Sequence, residues 1–312
     1  MIRQTRGSAW SGALRLLAGA GLLAASTSAF AADMPLKAPP PPVYQPGGYV
    51  YVGVGGGYSS VRFEQDIFAV GISQAFAGGT LVANGIAQGP GDGVRNIQST
   101  FAGEVQAGFM RHFDSGGIST SPWLWGGKFK YKYLGTSATE TGVIVPQTGA
   151  FTPTGGGAAT PLTGNVLIQS MQTTVEHELS ALVIFGQSLN SGMMVYAGAG
   201  PAALSTKSFI NRAVGFGDVN GAPTAITGAP VSFASATWMW GAAAQIGLTY
   251  TVAPCWMLDF NYTITATKKF DINYAAPFTS TSAGITYVGN AYITTPQHLT
   301  TQAIAVTINR VF

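Results

Sequence analysis

The sequence predicts an all-β fold: an eight-stranded antiparallel up-and-down transmembrane β-barrel with short periplasmic turns and long extracellular loops. Three observations carry this expectation. From Tyr49 onward no apolar run approaches the ~18 residues a spanning helix requires. Only 9% of the 312 residues are charged and mean hydropathy is +0.26, an odd balance for a secreted soluble domain. The 42 glycines, with many Thr, Ala and aromatic residues, suit strands and turns better than helices. A closed barrel is then the remaining way to cross a membrane with every backbone polar group satisfied.

The first residues read as an export signal. Arg3, Arg6 and Arg15 precede the apolar run LLAGAGLLAA (16–25), which is too short to span, and Ala29-Phe30-Ala31 fits a cleavage site. Three regions follow: a signal peptide (1–31), a Pro-rich periplasmic segment (32–48) and an outer-membrane barrel (49–312). The rival reading of the leader is an uncleaved anchor helix. Of 15 basic and 12 acidic residues, the leader holds three arginines and no acid, so the mature chain balances at 12 against 12. Its basic isoelectric point is thus a property of the leader, and nothing points to nucleic acid. Pro39 to Pro42 predict an extended spacer, with a protein-docking motif as the alternative.

Eight segments alternate like strands: 49–64, 98–113, 123–134, 171–187, 193–209, 236–252, 256–270 and 300–312. Connections after the second, fourth and sixth are short (DSGGISTS, SLNSG, APC). Those after the first, third, fifth and seventh are long, at 65–97, 135–170, 210–235 and 271–299. Such sorting, with an even strand count, is what a transmembrane barrel with periplasmic termini needs. A soluble sandwich has no reason to sort its loops this way.

Faces follow from the period of two. In the seventh segment Trp256, Leu258, Phe260, Tyr262 and Ile264 oppose Met257, Asp259, Asn261, Thr263 and Thr265. The sixth and eighth segments divide in the same manner, whereas the first and fifth are too rich in Gly and Ala for assignment. Alternation alone leaves inside and outside open, because a soluble barrel shows the same pattern inverted. Aromatic position decides. Trp123, Trp125, Tyr250, Trp256 and Phe312 fall at periplasmic strand ends, and Tyr131, Tyr133, Trp238, Trp240 and Phe270 at outer ends. Two such rings are the girdles of a membrane barrel.

At this point the residues resemble a known family. AADMPLKAPPPP after the signal peptide, GGYVYVGVGGGY (47–58) and the terminal AIAVTINRVF look like the small alpha-proteobacterial outer-membrane immunogenic proteins, the OmpA-like or opacity-type barrels of the porin family. Here Pro46-Gly47-Gly48-Tyr49 stands where that family has W-[ST]-G-F-Y. The resemblance implies an eight-stranded barrel in the outer membrane of a Gram-negative bacterium, bounded by outer-membrane lipids and lipopolysaccharide. It also implies a terminal Phe312 read by the barrel-assembly machinery, and functions ranging over envelope integrity, adhesion, immune recognition as a surface antigen and weak pore activity.

The one charge-dense stretch is SPWLWGGKFKYKYL (121–134). Alternation puts Lys128, Lys130 and Lys132 on one face and Phe129, Tyr131 and Tyr133 on the other. With the rings toward lipid the lysines enter the lumen, since a lysine facing lipid at midplane costs about 2–4 kcal/mol. Their expected partners are Glu104 on the second segment, Glu176 and Glu178 on the fourth, and Asp259 on the seventh. Eight strands enclose an interior just wide enough for side chains, so a polar, largely plugged lumen is expected. The alternative is a narrow passive channel for small solutes or ions.

No catalytic site, cofactor or metal is expected. Only His112, His177 and His298 are present, and no HExxH, serine elbow or nucleotide-binding context appears. A lipid hydrolase built on His177 and Ser180 is the one enzymatic arrangement weighed. Cys255, alone in its turn, can form no intramolecular disulfide. The long loops carry few charges, so a host or phage surface ligand would be bound by contact rather than electrostatic steering.

Overall fold

The computed structural model describes residues 48–113, 121–190, 192–219 and 222–312. The expected signal peptide and residues 32–47 of the Pro-rich segment lie outside the described residues, as does most of the turn at 114–121. Ten strands follow in chain order: β1 (Tyr49–Ala77), β2 (Thr80–His112), β3 (Trp123–Pro153), β4 (Thr160–Asn190), β5 (Met193–Val219), β6 (Ala222–Ala225), β7 (Val231–Ala253), β8 (Trp256–Thr267), β9 (Phe270–Ser282) and β10 (Ile285–Val311).

Eight of them close a ring. Antiparallel ladders run β1–β2–β3–β4–β5–β7–β8–β10, and β10 returns to β1 from Tyr51↔Val311 to Ala77↔Ile285. Phe312 seals the lower end of that seam, its amide donating to Val50 O at 2.9 Å. Short β6 pairs only with β5, and β9 pairs only with β10, carrying on the line of β8 beyond Lys268 and Lys269. Closure removes every edge from the lower ring.

The long connections are not loops. β2 runs 33 residues and β3 31, against the ~9–11 a tilted strand needs to cross hydrocarbon. Segments 65–97, 135–170, 210–235 and 271–299 are mostly strand, so the barrel wall continues far past the outer aromatic ring. Their Gly, Thr and Ala content resembles loop composition. Stretches such as Val143-Ile144-Val145 nevertheless alternate and find ladder partners in β4. Reversal falls to glycines in the left-handed region: Gly78 (φ 55°) and Gly79 (φ 84°) turn β1 into β2.

Which face is apolar changes along β1 and β10. Near the termini, Val50, Val52, Val54 and Tyr58 of β1 are exposed, as are Ile304, Val306 and Ile308 of β10. Their inward neighbours there include Thr301, Thr307 and Asn309. Farther along, Val61, Phe63, Ile67 and Ala69 of β1 and Ile293 and Leu299 of β10 are buried inside. The outward positions become Arg62, Glu64, His298 and Thr294. The near half thus holds its buried charges inside and is apolar outside, whereas the far half has an apolar interior and a mixed outer face, with Phe68, Ile72, Ile97 and Ile144 exposed beside Arg62 and Glu64. In the far half, burial raises the pKa of the Tyr274 phenol.

The glycine-rich start of β1 has a steric cause. Gly53, Gly55 and Gly57 face inward, and a β-carbon on any of them would collide with β10, Gly53 against Asn309 Oδ1 and Gly57 against Ile304 O. Glycine here makes room for the interior polar groups of the neighbouring strand.

Candidate functional site

In the near half, the period of two aims Lys128, Lys130 and Lys132 of β3 into the lumen, each at most 4% exposed. Lys128 Nζ lies 2.7 Å from Asp259 Oδ2 on β8, across the barrel, and donates to Tyr196 OH at 2.7 Å. Lys130 Nζ lies 3.0 Å from Glu104 Oε2 on β2. It also donates to Asn261 Oδ1 at 3.2 Å and Thr263 Oγ1 at 3.0 Å. Lys132 Nζ lies 3.5 Å from Glu178 Oε1 on β4. Three cations face three anions, so the cluster is neutral.

Uncharged groups complete it. Tyr196 OH donates to Asp259 Oδ1 at 2.7 Å. Gln106 Nε2 has Asp259 Oδ2, Thr307 Oγ1 and Asn309 Oδ1 within 2.9 Å. Glu178 accepts from Thr265 Oγ1 at 2.8 Å and Thr301 Oγ1 at 3.0 Å. Gln245 Nε2 donates to Asn261 Oδ1 at 2.8 Å. A buried charge pair holds best when its remaining lone pairs and protons are also satisfied. The hydroxyls and amides do this for Asp259 and Glu178, whereas Glu104 has its ion pair with Lys130 and both its carboxylate oxygens lack a hydrogen-bond donor.

Apolar layers bound the cluster on both sides. Toward the termini lie Tyr51, Met110, Leu124, Leu182, Ile184 and Met257. Toward the far end lie Val61, Phe63, Leu134, Leu204, Met239 and Leu299. Side chains of both layers lie across the lumen above and below the polar layer.

Glu176 is a correction. It was expected among the lysines, but a bulge between Val175 and His177 shifts the pairing with β5 by one residue. Val175, expected outside, is fully buried, whereas Glu176 and His177 both turn outward. Glu176 pairs instead with Lys207 at 2.7 Å, and His177 stacks against Tyr131, whose hydroxyl lies 3.0 Å from Nδ1. Ser180 is 3% exposed and points inward, so it lies on the opposite face from His177.

The outer-face aromatics lie where alternation put them. Trp123, Trp125, Tyr250, Trp256 and Phe312 are exposed near the termini, and Tyr133, Trp238, Trp240 and Phe270 are exposed farther along. Tyr131 is half-buried on the same face, under His177. Sequence reasoning missed Tyr196, because the Gly- and Ala-rich β5 hid its faces. Gln245, Asn261 and Thr263 carried a signal in the polar side of their alternation, but no charge to single them out. Among the described residues, no group of His, Cys, Asp and Glu is arranged to hold a metal ion.

Neither a family model nor a curated protein matches the chain. Solved structures similar to it include the outer membrane protein OprG of Pseudomonas aeruginosa, at 13% identity and TM-score 0.32, over 86% of this chain and 97% of that one. Ail, the attachment invasion locus protein of Yersinia pestis, is similar at 11% identity and TM-score 0.22, over 78% and 98%. The outer membrane protease OmpT of Escherichia coli is similar at 6% identity and TM-score 0.29, over 85% and 97%. At such identities the closed all-β architecture rests on this chain's own strand pairings.

Proposed function

We propose that the chain is a non-conducting, non-catalytic outer-membrane barrel of a Gram-negative cell envelope, exported with a cleaved leader. Its role is structural and surface-interactive, exercised through the wall that stands outside the bilayer. The neutral polar layer between two apolar layers is the observation that carries this reading. A water-filled pore needs a continuous hydrated path, and the bore holds packed side chains instead. The apolar outer band bounded by aromatics supports placement in lipid and lipopolysaccharide. The long far half suits contact with a host or phage surface. Phe312, with its ring exposed and its backbone closing the β1–β10 seam, suits recognition by the assembly machinery. The ends of the chain support membership of the alpha-proteobacterial immunogenic family.

Cells with and without the chain test this reading. It expects resistance to detergent and chelator to fall without the chain, while uptake of a small sugar stays unchanged. Uptake that depends on the chain, with unchanged resistance, would make it a channel.

A further inference from the structure

The far half of the lumen contains a cavity that the polar layer does not explain. Its volume is about 70 Å³, room for on the order of five water molecules or one ring of about six carbons. Small inward residues create it: Ala69 on β1, Gly164 on β4, Ala213 and Gly215 on β5. Phe233 and Ile293 form part of its wall, and no lining residue is charged. Two of the polar groups at its edge are engaged. Gln147 Nε2 donates to Ala69 O at 3.3 Å, and Thr227 Oγ1 accepts from Gly215 N at 2.6 Å. Water held in such a space would lack the two to four polar partners it needs.

The wall beside this cavity is not laddered. β7 pairs with β8 only from Gly241 to Ala253, and β9 pairs only with β10. Residues 231–240 of β7 therefore face β9 without a ladder. The seam is bridged by ring contact between Phe233 and Tyr274, with centroids 5.6 Å apart, and by Ser280 Oγ donating to Ile226 O at 2.7 Å. Side-chain contacts of this kind open at lower cost than a backbone ladder. The cavity thus has a route to the outside that avoids the sealed bore.

We propose that this cavity is a binding site for a small uncharged apolar molecule, of the size of a monocyclic hydrocarbon. The ligand is selected by the absence of charge and the predominance of apolar side chains in the lining, and it displaces poorly bonded water or fills empty space. The site is separate from the polar layer and does not require conduction through the barrel.

The test is methyl NMR of the mature chain in lipid nanodiscs, titrated with cyclohexane. Methyl signals of Val166, Val231 and Ile293 are expected to shift and saturate, while lipid-facing Val54 and Ile304 shift in proportion to cyclohexane in the lipid. Ala213→Phe fills the cavity and is expected to weaken the saturable shift at least tenfold without moving the signals of Leu182 or Met257. If Ala213→Phe does not refold, Ala69→Leu fills the same space from β1. Shifts that never saturate, or that persist unchanged in the folded filled variant, overturn the proposal.

Discussion

Lys130 occupies the centre of the interior layer, with Glu104, Asn261 and Thr263 around its ammonium. Lys130→Met leaves the Glu104 carboxylate without its counter-ion in a dry interior, a loss of about 3–5 kcal/mol. Urea unfolding from lipid vesicles should show a lower midpoint for this variant, and an unchanged midpoint would count against the layer. Adding Glu104→Leu removes the stranded charge and should recover most of the loss. Glu176 provides the contrast. Its pair with Lys207 is open to solvent, with side chains 26% and 45% exposed, so Glu176→Gln should cost less than about 1 kcal/mol. Equal losses at Glu104 and Glu176 would mean that the bulge is misplaced. The outward turn of Glu176 was not legible in the sequence. Parity gives it the same face as Glu178, and only the one-residue shift beside Val175 separates them.

Individual strands were legible as far as alternation reached. Residues 123–134 read as a strand because lysines and aromatics interleave, and the faces of β8 followed from Asp259, Asn261 and Thr263 opposite Phe260 and Tyr262. The far parts of β1 to β4 were not, because small residues there pair as strands yet compose like loops. β5 hid its faces for a related reason: alanines at 197, 199, 202 and 203 fall on both sides. The stretches read as loops are instead largely strand, and the one at 65–97 turns tightly at its tip. Gly78 and Gly79 project with open space where a side chain would begin. A short epitope inserted between them should leave the ring folded and bind antibody on intact cells. Staining only after permeabilisation would reverse the orientation of the barrel. Gly57 behaves oppositely. Gly57→Leu drives a side chain into the backbone of β10, and should prevent the heat-resistant compact form on cold gel electrophoresis.

For the whole molecule, the change of faces along long strands such as β1 and β10 defines two environments. The half near the termini turns valine, isoleucine and aromatics to its surroundings and keeps ions inside, as a barrel in lipid must. The far half buries Phe63, Leu134 and Met171, as a barrel in water does, and its outer face mixes Arg62, Glu64 and His298 with exposed Phe68, Ile72, Ile97 and Ile144. The exchange falls near residues 58–62 of β1 and 299–304 of β10, level with the outer aromatics. The proposed closure of the bore needs no lid, because it would be distributed through the neutral ion layer and the apolar layers above and below it. Single-channel recording in planar bilayers tests this most directly. The refolded chain should give no stable openings above the bare membrane across salt concentrations and voltages. Reproducible, salt-dependent conductance steps from the native sequence would contradict the sealed interior.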